Sequence, residues 1–264
     1  MKSDRIIIAI SGDKGAGKDT IASMIEYVMS VGITKANFRE WYNRHNVLED
    51  LGKNVIHFAD KLKEVCSLIT GLHVHYFNKA EYKDLLWWIY GSEGFFIGED
   101  VLNGTVEVAE KKSYYKIELK NLTLAEELRN ARREKKIPII KLRTILQYVG
   151  TEMFKEMFDD RYWIDNTIVK ARKIVNETDF CIIPDLRFED ELYALRKACN
   201  YSDYRCIIVN VGETDEFERR TNERGLHRSD KQLKEFDYYI SNKKESYFKL
   251  FNEVLKFYQT KILK

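Results

Sequence analysis

The sequence is poor in the residues that loosen or break a fold. It holds only 2 Pro and 13 Gly among 264 residues, while 44% of the residues are hydrophobic. This composition excludes collagen-like and low-complexity chains, and the length allows one large domain with a buried core. An excess of one charge is also missing, because 44 Lys and Arg stand against 42 Asp and Glu. A net charge of +2 gives no overall positive electrostatic potential that would attract nucleic acid, so no nucleic-acid partner is expected.

Long apolar segments and paired cysteines are scarce as well. The apolar run at 6–10 is too short for a signal peptide, and no window approaches the ~18 apolar residues of a transmembrane helix. The four cysteines form no CxxC pair and no Cys/His set with zinc spacing; they are Cys66, Cys181, Cys199 and Cys206. We therefore expect a cytoplasmic protein with reduced thiols and no membrane partner.

What the chain does contain is an alternation of short apolar strands and helices. Strands are predicted at 6–10, 55–59, 180–183, 206–211 and 238–241, and helices at 20–29, 62–69, 189–199 and from about 245 onward. This alternation predicts an α/β fold of three layers, in which helices cover both faces of a mostly parallel sheet. Residues 78–136 depart from it and are interpreted as an insertion. They predict a hairpin of 105–109 with 114–119 and a charged helix at 124–133.

The most specific motif follows the first predicted strand. Residues 12–20 read GDKGAGKDT, which has the G-x-x-x-x-G-K spacing of a P-loop between a strand and a helix. In that context glycines let backbone N–H groups converge on phosphate oxygens, and Lys18 can neutralise charge on the β- and γ-phosphates. The alternative is a glycine-rich turn with a surface lysine. The predicted nucleotide site comprises Gly12, Lys14, Gly15, Ala16, Gly17, Lys18, Asp19 and Thr20.

Two carboxylates are candidate Mg²⁺ ligands. Asp19 stands where such loops usually have a Ser or Thr, and a carboxylate is also a hard oxygen ligand. The alternative is that Asp19 only favours the helix N-terminus. Asp185 and Arg187 follow the strand at 180–183 on its carboxyl side, where ligands bind in open α/β sheets. Their alternative is a surface ion pair of little energetic worth.

The chain resembles the phage deoxynucleoside monophosphate kinases. The resemblance rests on GKDT at 17–20, ADKLK at 59–63, LRTILQYVGT at 142–151, Phe158-Asp159, Tyr162-Trp163, and IIPDLR at 182–187. It spans both halves of the chain and skips the insertion. It implies a P-loop kinase fold in which one domain, 1–264, carries an acceptor-binding region and insertion at about 60–165 and a lid at about 213–232. It also implies the host cytoplasm as the location if a phage encodes the protein.

The resemblance further implies ATP and Mg²⁺ as cofactors and a nucleoside monophosphate as substrate. Its acceptor residues correspond to Lys63, Arg143, Gln147, Gly150, Thr151, Trp163, Asp185 and Arg187, and its lid arginines to Arg220, Arg224 and Arg228. Lys18, Arg143 and Arg187 are the expected catalytic residues, and Asn242 is expected near the adenine. Three simpler interpretations stay open: a core role for Trp163, a solvated surface position for Lys63, and a solvated helix face for the lid.

Arg143 and Gln147 lie four residues apart and therefore share one face of a helix. A guanidinium there can clamp a phosphate while the amide reads a base edge. We expect ATP- and Mg²⁺-dependent phosphorylation of deoxynucleoside monophosphates to diphosphates. The alternatives are a small-metabolite kinase of the phosphomevalonate or dephospho-coenzyme A type, or a non-catalytic P-loop nucleotide-binding module. The sequence leaves the accepted base, the sugar selectivity and the oligomeric state open, a homodimer included.

Overall fold

The computed structural model describes residues 5–13, 15–47, 52–70, 72–78, 80–83, 86–90, 95–100, 105–110, 117–118, 140–153, 159, 161–213, 233 and 235–263. The chain forms two compact units: the first unit combines Met1–Phe58 with Ile164–Lys264, and the second unit is Ala59–Trp163. Three predictions lie outside the described residues: the helix at 124–133, Lys14, and the lid arginines Arg220, Arg224 and Arg228.

The described strands, in chain order, are β1 (Arg5–Gly12), β2 (Leu86–Tyr90), β3 (Phe95–Asp100), β4 (Thr105–Glu110), β5 (Ile117–Glu118), β6 (Ile140–Lys141), β7 (Phe180–Ile183), β8 (Tyr204–Gly212) and β9 (Tyr238–Ser241). The described helices are α1 (Lys18–Val31), α2 (Phe38–Val47), α3 (Asp60–Thr70), α4 (Val74–Asn78), α5 (Ala80–Lys83), α6 (Leu142–Gln147), α7 (Tyr162–Thr178), α8 (Glu189–Asn200) and α9 (Tyr247–Phe257). Two π-helical segments, Tyr148–Met153 and Tyr258–Ile262, continue α6 and α9.

The first unit is built on a parallel sheet with the strand order β7-β1-β8-β9. Residues 6–10 of strand β1 are apolar without interruption, as expected for a strand that is buried on both faces. Ile6, Ile8 and Ile10 pack with α1 and α9, whereas Ile7 and Ala9 pack with α7 and α8. The sheet therefore lies between two helical layers, which confirms the predicted three-layer α/β fold.

One predicted strand is wrong in extent. Where 55–59 was expected to form a full strand, the structure has a single parallel bridge between Val55 and Ile182. Two backbone hydrogen bonds accompany it, from Ile56 N–H to Ile182 O at 2.9 Å and from Ile182 N–H to Asn54 O at 2.8 Å. The pairing ends there because residues 58–59 turn and α3 begins at Asp60. This short segment still sets the position of the residues that follow it.

The second unit contains an antiparallel sheet with the order β5-β4-β3-β2-β6. The predicted hairpin is confirmed as the pairing of β4 with β5, and strands β2 and β3 extend it beyond the prediction. A separate apolar cluster joins α3, α4 and α6 through Cys66, Tyr76, Phe77, Leu142 and Val149. Among the described residues of both units, none of the helices has the length and hydrophobicity of a membrane span.

Candidate active site

The loop between β1 and α1 lies directly against the neighbouring strand β8. Gly12 has a φ of 143°, and a Cβ atom there would lie 2.1 Å from the carbonyl oxygen of Val211. Gly17 is the N-cap of α1 with a φ of 83°, in the left-handed region that favours glycine. Two of the loop's glycines are thus required by the backbone path, and α1 begins with its N-terminal N–H groups at the loop.

The Lys18 side chain is held at this loop. Its ammonium group donates hydrogen bonds to the carbonyl oxygens of Gly12 and Asp13, both at 2.7 Å. Burial lowers the pKa of Lys18, and the positive charge of Arg187 lowers it further, while the carboxylates of Asp19, Asp13 and Asp185 act in the opposite direction. Lys18 and Arg187 are therefore close enough to repel each other, an arrangement that a polyphosphate would relieve.

Backbone contacts fix the segment that carries Asp185 and Arg187. The Asp185 carboxylate accepts the N–H of Phe58 at 3.0 Å, and the N–H of Leu186 donates to Ile10 O at 3.2 Å. Glu191 accepts the N–H groups of Arg187 and Phe188 at 2.8 and 3.0 Å. Asp185 is half-buried and Arg187 is exposed. Both candidate residues therefore lie at the carboxyl edge of the sheet, as predicted.

Asp19 lies in the first turn of α1 with 85% of its side chain exposed, and its carboxylate is 3.3 Å from His57 Nε2. Among the residues that the structure describes, no three His, Cys, Asp or Glu side chains form a metal-binding cluster. Mg²⁺ does not need one, because it is commonly held by one or two carboxylates together with phosphate oxygens and water. The oxygen chemistry of Asp19 and Asp185 therefore fits this ion.

Asn242 contacts the loop from the opposite end of the chain. Its backbone N–H donates to Gly212 O at 2.7 Å, which fixes its backbone beside the end of β8. Its side-chain amide donates to Ala16 O at 2.8 Å and accepts the N–H of Lys244 at 3.2 Å. The structure thus places Asn242 against the P-loop backbone. Its expected position near an adenine stays a prediction.

The predicted acceptor residues of the second unit fall into two groups. Arg143 and Gln147 are both exposed on α6, four residues apart. The Lys63 side chain is only 13% exposed, with its ammonium group 3.4 Å from Asp60 Oδ1, and so differs from a solvated surface lysine. Thr151 lies in the π-helical segment Tyr148–Met153. These positions are compatible with substrate binding, which stays a prediction.

Trp163 and Gly150 are joined to each other. Trp163 is 7% exposed, and its indole N–H donates to Gly150 O at 3.0 Å. A Cβ atom at Gly150 would lie 2.9 Å from Leu62 Cδ2, so the π-helical segment approaches α3 closely there. These contacts favour a structural role for Trp163, in which it fixes the backbone that carries Gly150 and Thr151.

Two residues of the site were not identified from the sequence. His57 contacts Asp19 across 38 positions of the chain, and no local pattern points to such a contact. Glu191 lies in the first turn of α8, and its carboxylate accepts the backbone N–H groups of Arg187 and Phe188 just before the helix. A local signal for it does exist, because a glutamate in the first turn of a helix commonly accepts the backbone N–H groups that precede it.

A parallel sheet with a P-loop after one of its two inner strands, and Lys18, Arg187 and two carboxylates at that edge, defines an α/β P-loop kinase fold. The sequence model of a family described as deoxynucleotide monophosphate kinase matches residues 99–246, more than half of the chain. A deoxynucleoside-5'-monophosphate kinase of Escherichia phage T5 is 23% identical over 230 residues, with 78% of this chain and 77% of the relative covered. The chain belongs to the deoxynucleotide monophosphate kinase family and is a phosphotransferase of nucleotide metabolism.

The matched span begins in β3 and ends after β9. It therefore leaves out the P-loop at 12–20, and the loop and the family match are separate signals. The loop spacing is typical of nucleotide binding, and the family match identifies a kinase.

Proposed function

We propose that the chain transfers the γ-phosphoryl group of ATP, with Mg²⁺, to deoxynucleoside monophosphates and releases diphosphates. The observation that carries this proposal is the Lys18 ammonium group, which donates to the carbonyl oxygens of Gly12 and Asp13 at the P-loop of a chain from this kinase family. A cation held at this loop, with the positive charge of Arg187 near enough to lower its pKa, is suited to a bound polyphosphate and to the charge that develops during transfer.

The reaction needs no general base from the protein. A nucleoside monophosphate is largely dianionic near neutral pH, because the second pKa of a phosphate is about 6, so the acceptor supplies its own nucleophile. The P-loop binds the β- and γ-phosphates of ATP. Lys18 neutralises negative charge as the bond between the γ-phosphorus and the bridging oxygen breaks and ADP leaves, and Arg187 stabilises the phosphoryl group in transfer. Asp185 and Asp19 would hold Mg²⁺, which supplies further charge neutralisation when it is bound.

We assign acceptor binding to residues of the second unit. The exposed pair on α6 supplies a phosphate-binding guanidinium from Arg143 and a base-reading amide from Gln147. Lys63 and Thr151 complete the proposed set, with Arg220, Arg224 and Arg228 as lid residues over the triphosphate. Trp163 acts mainly through the backbone of Gly150. The cytoplasmic location and a homodimer stay predictions.

The test is ATP consumption with Mg²⁺ across the four common deoxynucleoside monophosphates, modified pyrimidine monophosphates, ribonucleotides and phosphomevalonate. Diphosphate formation from at least one deoxynucleotide supports the proposal and identifies the accepted base. Turnover of phosphomevalonate alone would instead favour a small-metabolite kinase. ATP binding without any turnover would leave a nucleotide-binding module.

The catalytic assignments have their own test. Lys18→Ala and Arg187→Ala should each reduce turnover by about 100-fold or more, because each removes charge stabilisation of the transferring group. The melting temperature should stay near that of the wild type. Lys173→Ala, at an exposed position on α7, is a matched control that removes a cation away from the loop. Near-wild-type turnover in either site variant would contradict the assignment.

A further inference from the structure

We infer that Asn242 is a positioning residue that holds the P-loop in its nucleotide-binding conformation, and that it does not read the base. The inference rests on the proposed use of ATP and goes beyond it, because it gives a residue near the end of the chain a defined task. Its basis is the set of contacts that the side-chain amide makes with the loop and with its own turn.

The amide of Asn242 has a fixed orientation. Its nitrogen donates to Ala16 O at 2.8 Å, and its oxygen accepts the N–H of Lys244 at 3.2 Å. Rotating the amide by half a turn would place an oxygen against the Ala16 carbonyl oxygen and an N–H against the Lys244 N–H. Both contacts would then become repulsive, so the observed orientation is the stable one. One N–H and the oxygen are thereby committed to protein backbone.

The bond to Ala16 fixes a whole peptide plane. Because the peptide unit is planar and trans, holding Ala16 O on one side directs the N–H of Gly17 to the other side. That N–H belongs to the loop whose backbone N–H groups are proposed to face the phosphates. Asn242 thereby sets the direction of a phosphate-binding group without contacting the phosphate.

Gly17 and Asn242 are also matched in space. A Cβ atom at Gly17 would lie 2.7 Å from the Asn242 amide nitrogen. The asparagine therefore occupies the space that a side chain at position 17 would need, and it supports a residue that already has a φ of 83°. The backbone N–H of Asn242 donates a hydrogen bond to Gly212 O at 2.7 Å, at the end of β8. Asn242 therefore connects the loop to a fixed position at the edge of the sheet.

The experiment compares Asn242→Asp and Asn242→Ala with the wild type by calorimetric binding of ATP and of inosine triphosphate, without an acceptor. Asn242→Asp keeps the size but faces the Ala16 carbonyl with an acceptor, so both nucleotides should bind about 10- to 100-fold more weakly. Their affinity ratio should stay that of the wild type, and kcat at saturating ATP should fall as well. Asn176→Asp is the matched control, because its oxygen accepts the Tyr204 hydroxyl hydrogen bond on an exposed face and an aspartate can do the same.

Two results would overturn the inference. One is unchanged nucleotide affinity in a folded Asn242 variant. The other is a loss confined to ATP, with inosine triphosphate affinity kept, which would make Asn242 a base-reading residue. Failure of the proposed function gives a different result: the wild type would bind ATP and respond to the Asn242 changes as described, yet phosphorylate no deoxynucleotide. A melting curve of each variant establishes that it is folded, and Asn242→Ala replaces Asn242→Asp if the latter is not.

Discussion

Replacing Gly12 with alanine should destabilise the first unit severely. At a φ of 143° the backbone adopts a conformation that only glycine takes easily, and the new Cβ would lie 2.1 Å from Val211 O. That oxygen belongs to the backbone of β8, in register with β1, so it cannot swing aside like the end of a side chain. The conformational strain costs about 1–3 kcal/mol, and forcing the two strands apart adds about 1–3 kcal/mol more.

Gly32→Ala is the matched control for this prediction. Gly32 has a φ of 80° at the end of α1, but among the residues that the structure describes, no atom beyond its immediate chain neighbours lies within 4 Å of the position of its Cβ. Gly32→Ala should therefore lose only the conformational part of the unfolding free energy, about 1–3 kcal/mol. Urea unfolding without nucleotide, followed by far-ultraviolet circular dichroism, measures both variants. Equal losses of unfolding free energy would refute the reasoning, because the Val211 contact would then cost nothing.

Three further predictions concern other contacts. Trp163→Phe removes the indole hydrogen bond to Gly150 O and should cost about 1–2 kcal/mol in urea unfolding. The KM for the nucleotide acceptor should rise with that loss, whereas a stacking platform would keep its KM because a ring remains. Burial raises the pKa of the Glu26 carboxyl above 4.5, so its contribution to stability is complete below pH 4.5 and is lost as the pH rises through the raised value. Glu26→Gln should flatten that part of the pH profile of unfolding free energy, and an unchanged profile would contradict this. The Asp237 carboxylate accepts two hydrogen bonds from Arg196 and one from Ile208 N–H. Asp237→Asn removes its charge and weakens these bonds, so the unfolding free energy measured in urea should fall by about 1–3 kcal/mol. An unchanged unfolding free energy would show that these bonds do not stabilise the fold.

The parallel core was predictable because strands buried on both faces are apolar without interruption. The runs at 6–10 and 180–183 show this directly, and the P-loop spacing located the loop between β1 and α1. Helix α7 was not predicted, although Ile164, Ile168, Ala171 and Val175 carry the helical spacing. The full sheet of the second unit was not predicted either, since β2 and β3 are rich in aromatic residues without regular alternation.

The positions of site residues were predictable only where those residues come soon after a predicted strand. Lys18 follows β1 after one short loop, and Asp185 and Arg187 come just after β7, so their place at the carboxyl edge of the sheet could be inferred. The contact between Asn242 and Ala16 joins residues 226 positions apart, and the meeting of His57 with Asp19 spans 38. Such contacts are set by the packing of strands and helices, which local patterns do not contain.

The order of strands in the sheet also determines when β1 can pair during synthesis of the chain. Strand β1 leaves the ribosome well before both of its ladder partners, because β7 and β8 begin only at residues 180 and 204. A growing chain therefore carries an unpaired apolar strand while residues 13–179 are made, and pairings this distant form slowly and expose the chain to aggregation. The contact from residue 242 arrives later still. In a ribosome-bound chain the loop between β1 and α1 thus lacks this contact until residue 242 has emerged.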